Sequence, residues 1–454
     1  MVHVYNDIKP LIAIIGRPNV GKSTLFNHIL GSNAAIIDDR PGVTRDLNYR
    51  DMTYDDKPFT IIDTGGFYID ENQTDVITKG IHAQIRAILE QVDGVLFLGD
   101  GVVGPHPSDY DIIDLIRKSG IRFWTAVSKI DADGHDVRVA DFYQLGVDEI
   151  YGVSGTTGYG TYGLLDALTK DFWTEKDIAE KVEKVDEDVI RVAIIGRPNV
   201  GKSTLANALL GEERHLVSSV PGTTMDPIDS KITHEDQHYL FIDTAGIRRK
   251  KMVLEIMEKA AVVRAFRAID RSEVVVVMMD ANEPATDQDL RILGMAHDKH
   301  RAIVIAINKW DTIEKETGTW EKFVQDLRDR MKFAPYAPVI SMSAKEKLRT
   351  TKLLSLVKQV HHNYHKMTMD DDLQEWLNRA VRRNKPPLTK KRKPIIFFNV
   401  KMESVAPPTV VIKVNRPHSV HFSYHRYLMN QFYNQFDYSG IAINVIYRRE
   451  YMRS

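Results

Sequence analysis

The 454-residue chain contains no cysteine. That absence removes disulfides, thiolate nucleophiles and cysteine-ligated zinc, and it fits a reducing cytosol. Long apolar runs are also missing: no stretch approaches the roughly 18 residues expected of a membrane span. The start, MVHVYNDIKP, lacks a basic-then-apolar leader pattern. The expectation is a cytoplasmic protein with no membrane partner. Net charge is nearly absent as well, with 61 Lys and Arg against 62 Asp and Glu. That balance hides an asymmetry. From Glu346 to Ser454 there are 20 Lys and Arg against 8 Asp and Glu, so the last quarter is basic and the rest acidic. A basic end on a near-neutral chain suggests a polyanionic partner met from that end; a merely basic surface is the alternative. With 43% apolar and 27% charged residues, the chain is otherwise ordinary for a soluble globular protein, and its length suggests about three domains.

What is present appears twice. The string GRPNVGKST occupies Gly16, Arg17, Pro18, Asn19, Val20, Gly21, Lys22, Ser23 and Thr24, and again Gly196, Arg197, Pro198, Asn199, Val200, Gly201, Lys202, Ser203 and Thr204. Each copy ends a short apolar run and opens a helical stretch, the context that marks a phosphate-binding P-loop. The glycines let successive N–H groups converge on phosphate oxygens at a helix N-terminus. Lys22 and Lys202 then reach the β- and γ-phosphates, and Ser23 and Ser203 are placed to ligate Mg²⁺. Lys22 and Lys202, Thr44 and Thr224, Asp63 and Asp243, and Lys129 and Lys309 all stand 180 residues apart. A repeat of that length is a duplicated domain rather than a solenoid. Apolar runs such as GVLFLGD, FWTAVSK, EVVVVMMDA and AIVIAINK alternate with amphipathic stretches, which predicts mostly parallel sheets covered by helices. The candidate sites then fall at the carboxyl ends of strands.

Further motifs sit where a nucleotide switch needs them. DTGG (Asp63, Thr64, Gly65, Gly66) and DTAG (Asp243, Thr244, Ala245, Gly246) follow strands, so the aspartate would serve Mg²⁺ through water and the last glycine would offer its N–H to the γ-phosphate. Thr44 and Thr224 lie between P-loop and aspartate, where a threonine closes over Mg²⁺ when triphosphate is bound. NKWD (Asn308, Lys309, Trp310, Asp311) is expected to choose the base. Its carboxylate can accept from guanine N1–H and the exocyclic amine, so GTP and GDP are favoured over adenine nucleotides. SAK, with Ser343 and Ala344, would bring a backbone N–H near guanine O6. The first copy reads SKID (Ser128, Lys129, Ile130, Asp131), with serine in place of asparagine. Losing one polar contact would cost about 1–2 kcal/mol, roughly 5–30-fold in affinity.

These motifs, the RRKK run at Arg248 to Lys251 and the tail segment PPTVVIKVNRP…YHRYLMNQF together resemble the EngA (Der) family of bacterial GTPases, over essentially the whole chain. The resemblance implies an α/β fold: two tandem P-loop G domains, at residues 1–173 and 189–358, joined by a charged linker at 174–188. A small α+β KH-like domain follows at 359–454, expected in the order α–α–β–β–α–β. It also implies GTP hydrolysis coupled to assembly of the large ribosomal subunit, with precursor particles and ribosomal RNA as partners. No DNA partner and a monomer off the ribosome are expected.

Three departures shape the expected mechanism. The residue after DxxG, glutamine in many GTPases, is Phe67 or Ile247, neither able to orient water. Asn19 and Asn199 resemble the asparagine of potassium-dependent GTPases, which makes K⁺ a candidate activator; an asparagine tolerated in a turn is the plain alternative. The KH-like segment lacks the GXXG clamp, carrying RPHSVHF instead. Arg382, Arg383, Lys390 to Lys393, Arg448 and Arg449 would then hold phosphates without base selectivity. His361, His362 and His365 have no nearby acidic or cysteine partner in sequence, so they read as surface residues rather than metal ligands.

Overall fold

The computed structural model describes residues 9–31, 36–37, 48–64, 76–132, 137–172, 189–212, 229–243, 257–314, 316–389 and 392–450. Two compact units emerge, Met1–Asp186 with Lys250–Arg267, and Glu187–Arg249 with Ala268–Ser454.

The first unit is built on β1 (Leu11–Ile15), α1 (Lys22–Gly31), β2 (Ile36–Ile37), β3 (Asn48–Tyr54), β4 (Lys57–Asp63), α2 (Val76–Leu89), β5 (Gly94–Asp100), α3 (Pro107–Ser119), β6 (Arg122–Ser128), α4 (Val137–Ala140), β7 (Ile150–Gly152) and α5 (Thr161–Lys170). Its seven strands run in the order β2-β3-β4-β1-β5-β6-β7. Only the outer β2–β3–β4 pairings are antiparallel; the rest are parallel. Every residue of β1 and β5 is buried, as strands covered on both faces must be. The β3–β4 hairpin turns through Asp55 and Asp56, at φ of 49° and 59°. Positive φ at both central residues is the primed turn that matches strand twist.

The second unit repeats this plan with β8 (Val189–Ile195), α6 (Lys202–Glu212), β9 (Ser230–His234), β10 (Gln237–Ile242), β11 (Val274–Asp280), α8 (Asp287–Asp298), β12 (Ala302–Asn308), α9 (Thr319–Arg330), β13 (Val339–Ser341) and α10 (Thr350–Tyr364); α7 (Met257–Arg271) is divided, its residues up to Arg267 counted with the first unit. The sheet order is β13-β12-β11-β8-β10-β9. Its hairpin uses Glu235 and Asp236, at φ of 48° and 61°, so the turn geometry is duplicated along with the motifs.

α11 (Asp370–Arg383), β14 (Phe397–Val405), β15 (Pro408–Val414), α12 (Phe422–Gln435) and β16 (Asn444–Arg449) complete the second unit. β15 pairs antiparallel with β14 and parallel with β16. The order is therefore α–β–β–α–β, one helix fewer than expected. The helix beginning near Leu353 is α10, which packs on β11 and β12 of the second G domain. Position 358, the expected boundary, falls inside that helix. The correction has a packing reason: Leu353, Leu354, Val357 and Val360 form an apolar stripe buried in the core shared by the two sheets. Phe397 packs against it, its ring 5.7 Å from that of Tyr424. Backbone bonds join the sheets as well: Ile303 N donates to Gly440 O at 2.7 Å and Gly440 N to Tyr336 O at 2.9 Å. Among the described residues, no helix is long and apolar enough to cross a membrane.

Candidate nucleotide-binding sites

In both copies the P-loop leaves the carboxyl end of a buried central strand and runs directly into a helix, α1 or α6. The loop must reverse tightly, and it does so at Asn19 and Asn199, both at φ of 62°. Asparagine enters this left-handed region more readily than most residues, so the turn suits asparagine at these positions. Val20 and Val200 are buried and pin the loop to the core. Lys22 Nζ donates to the carbonyls of Gly16 at 2.8 Å and Arg17 at 2.6 Å. Lys202 Nζ donates to Gly196 at 2.7 Å and Arg197 at 2.8 Å.

Burial pulls both amines down to about 8, against the attraction of Asp63 for Lys22 and of Asp289 for Lys202. An ammonium desolvated inside a ring of backbone dipoles is a site awaiting an anion, so the residues fit a bound polyphosphate. Ser23 Oγ lies 2.5 Å from Asp63 Oδ2, which sets a hydroxyl and a carboxylate side by side at the loop's mouth. Hard oxygen donors in that arrangement suit Mg²⁺. Ser203 occupies the same position at the start of α6, and Asp243 follows β10 with a φ of 57°. Thr64 is buried and its hydroxyl donates to Ile14 O at 2.5 Å, so this motif residue braces strands rather than facing solvent. Thr24 and Thr204 are exposed on the first turn of their helices.

The P-loop arginines pair with carboxylates of other elements. Arg17 Nε pairs at 2.8 Å with Asp109, which is fully buried in the first turn of α3. Arg197 turns instead to Glu283, 2.5 Å away, and stands 3.7 Å from buried Asp289 in α8. Burial pushes the Asp289 carboxyl up. Asp109 and Asp289 also close capping boxes with His106 and Thr286, so each arginine latches its P-loop to a helix start.

At the base-reading corner, Lys129 and Lys309 hold φ near 62° and 61° and pair with Asp100 and Asp280, the last residues of β5 and β11. Burial would raise both carboxyls, but the lysines and nearby N–H groups outweigh it and hold them below the usual range. The sequence reading missed Asp100 and Asp280, as it did Asp109 and Asp289. All four obey the same offset of 180 that identified the motifs. Ile130 and Trp310 are buried; Trp310 packs edge-on against Trp320 and Phe323, each 5.1 Å away. They anchor the corner to the core.

Serine and asparagine fasten this corner differently. Asn308 Nδ2 donates to Val200 O at 2.7 Å, and its Oδ1 accepts from Ala344 N at 2.8 Å. One amide thus ties P-loop, NKWD and SAK together. Ser128 Oγ lies 2.5 Å from Val20 O and 2.9 Å from Gly99 O. It keeps the P-loop tie, but a single hydroxyl proton serves one carbonyl at a time. In the first copy Ser154 N bonds Tyr159 O, and the Ser154 hydroxyl donates to Asp131 Oδ1 at 2.7 Å. Ser343 and Ala344 are buried. Gly201, at φ of 106°, leaves no room for a Cβ, which would meet Asn308 Nδ2 at 2.2 Å; at Gly21 the nearest atom, Ser128 Oγ, is 3.9 Å away.

Thr44, Gly65, Gly66, Phe67, Thr224, Thr244, Ala245, Gly246 and Ile247 lie outside the described residues, as do the linker 174–188, the RRKK run, Lys390 and Lys391. Of the basic residues expected to meet phosphate, Arg448 makes a two-pronged pair with Glu403 at 2.5 and 2.7 Å. Arg382 and Arg383 are exposed.

Residues 11–129 and 191–309 match the family model described as 50S ribosome-binding GTPase. Residues 369–448 match the KH-domain-like C-terminal domain of EngA bacterial GTPase enzymes. The chain is 42% identical over 438 residues to GTPase Der of Syntrophobacter fumaroxidans, spanning 96% of this chain and 98% of that protein. It is 43% identical over 443 residues to GTPase Der of Desulfitobacterium hafniense, strain Y51, spanning 97% and 98%. GTPase Der of Staphylococcus epidermidis is 42% identical over 441 residues, spanning 97% and 99%. The chain therefore belongs to the Der (EngA) family of GTPases and hydrolyses GTP.

Proposed function

We propose that the protein is a GTP-driven switch in assembly of the large ribosomal subunit, acting in the cytoplasm as a monomer until it meets the particle. The observation that carries this reading is the combination of two complete phosphate cradles with a KH-like domain in a stretch carrying 20 basic against 8 acidic residues. Support also comes from the match to a family described as 50S ribosome-binding GTPases.

In each site the P-loop lysine draws the β- and γ-phosphates into the ring of N–H groups. Asp131 or Asp311 receives the guanine N–H donors, with Ser128 or Asn308 fixing the corner to the loop. Mg²⁺, held by Ser23 with Asp63 behind it, and by Ser203 with Asp243, would neutralise charge developing on the phosphates. Thr44 and Thr224, with the N–H groups of Gly66 and Gly246, are assigned to sensing the γ-phosphate. Because Phe67 and Ile247 cannot orient water, intrinsic turnover is slow. Asn19 and Asn199 would hold K⁺, which would add positive charge beside the phosphates, so turnover in KCl should exceed that in matched NaCl; equal rates would remove K⁺ from the account.

The test of the switch is sedimentation with ribosomal particles in GDP and in a non-hydrolysable GTP analogue. Cosedimentation with the large subunit or its precursor in the triphosphate state only, weakened by salt, is expected. Binding that requires the third domain but ignores nucleotide would instead make the protein an RNA-binding scaffold. The looser fastening at Ser128 favours one variant of the main reading, in which the second site alone turns over rapidly.

A further inference from the structure

One cluster of metal-ligating side chains stands apart from both nucleotide sites. It lies in the second unit at the amino-terminal end of the parallel strands, opposite the end where the P-loop emerges. Glu273 immediately precedes β11, while His361 and His365 stand four residues apart at the end of α10. That spacing puts both rings on one helix face. In sequence these histidines have no acidic neighbour; the fold delivers one from 92 residues before His365.

The geometry is that of an open metal site. His365 Nε2 lies 3.1 Å from Glu273 Oε1 and His361 Nε2 lies 3.5 Å from Oε2. All three ligand atoms fall within 4.8 Å of one another. A tetrahedral zinc ion with Zn–N and Zn–O bonds near 2.0 Å separates its ligand atoms by about 3.3 Å. The two observed N···O separations straddle that value. Side-chain exposure rises from 12% at Glu273 through 23% at His361 to 41% at His365, so the cluster opens to solvent on one side and leaves a fourth position for water. Arg191 Nε also stands 3.6 Å from Glu273 Oε2. His362 is exposed and one residue off the shared face.

We propose that Glu273, His361 and His365 form a site for a divalent transition metal of the zinc class, which fastens the end of α10 to the start of β11. Two imidazoles and one carboxylate suit zinc and its neighbours and are poor ligands for Mg²⁺ or Ca²⁺. The bound ion would brace the point where the chain leaves the second G domain, five residues before α11 begins.

The test uses full-length protein saturated with Mg²⁺ and GDP, so that the nucleotide sites are filled. Co²⁺ is titrated as a visible-absorption probe and then displaced with Zn²⁺. One equivalent of Co²⁺ should produce the strong visible bands of a four- or five-coordinate nitrogen and oxygen site, lost on adding Zn²⁺. His361→Ala and His365→Ala should each weaken binding by at least about tenfold, and His362→Ala should leave it unchanged. Because His365 is partly exposed, its variant should fold; circular dichroism confirms that, and Glu273→Gln provides an independent ligand loss. Absence of the bands, or bands that persist unchanged in both His361→Ala and His365→Ala, overturns the proposal.

Discussion

Ser128 and Asn308 stand at the ends of equivalent strands, 180 residues apart, and each reaches the carbonyl of the valine inside its P-loop. The asparagine has a second arm, and it uses that arm to hold Ala344. The serine has none. Its one hydroxyl proton is divided between Val20 and Gly99, the latter within its own sheet. What one amide does in the second copy is thus two separable tasks: gluing the guanine corner to the phosphate loop, and gluing it to SAK. The first copy keeps the former and gives up the latter. It also differs at the outer edge, where Arg17 holds a fully buried aspartate and Arg197 prefers an exposed glutamate.

The comparison breaks most sharply at the phosphate lysines. Lys22→Ala and Lys202→Ala should each abolish turnover at its own site, a loss of about 100-fold or more, in single-turnover GTP hydrolysis. If both sites hydrolyse, each variant keeps part of the total; if Lys22→Ala leaves the total intact, the first site is a nucleotide sensor. Next in size is the swap at the corner. Asn308→Ser should weaken GDP binding at the second site by roughly 5–30-fold, measured with a fluorescent GDP analogue. Ser128→Asn should tighten GDP binding at the first site by up to the same factor, because Gly155 supplies the backbone N–H at the position of Ala344. Asp280→Asn should loosen Lys309 and cost about fivefold in GDP affinity. That figure is kept small because the lysine is 39% exposed and screened by solvent. Asp100→Asn should do the same at the first site, and unequal losses would show the two corners load differently.

The smallest effect is a pH dependence shared by both sites. Lys22 and Lys202 are lowered by burial to about 8, with Asp63 and Arg17 facing the first and Asp289 the second. The protonated amine is the form that binds phosphate, and bound phosphate raises its pKa. Affinity is therefore full below pH 8 and falls as pH rises through it, by about fourfold between pH 7 and 8.5. A flat profile at constant ionic strength would mean that the lysines stay charged throughout.

Much of this was legible in advance, and unevenly. The P-loops, the buried strands and the guanine motif could be read because each is a local string with a local physical cause. The hairpins at Asp55–Asp56 and Glu235–Asp236 escaped because neither contains the glycine that usually marks a primed turn. Asp100 and Asp280 looked like the polar ends of apolar runs; only three-dimensional proximity to Lys129 and Lys309 gives them work. The helix around residue 358 was assigned to the wrong domain because an amphipathic stripe shows that a partner exists, not which sheet it is. Glu273 and the two histidines share nothing in sequence that would join them.

β12 gathers these observations into one consequence. At its start, Ile303 is hydrogen-bonded to Gly440 beside the third sheet; at its end, Asn308 fastens the guanine corner. Its seven residues form a fully buried rod about 20 Å long. A single strand thus links the backbone beside the third sheet to the side chain that ties P-loop, NKWD and SAK together.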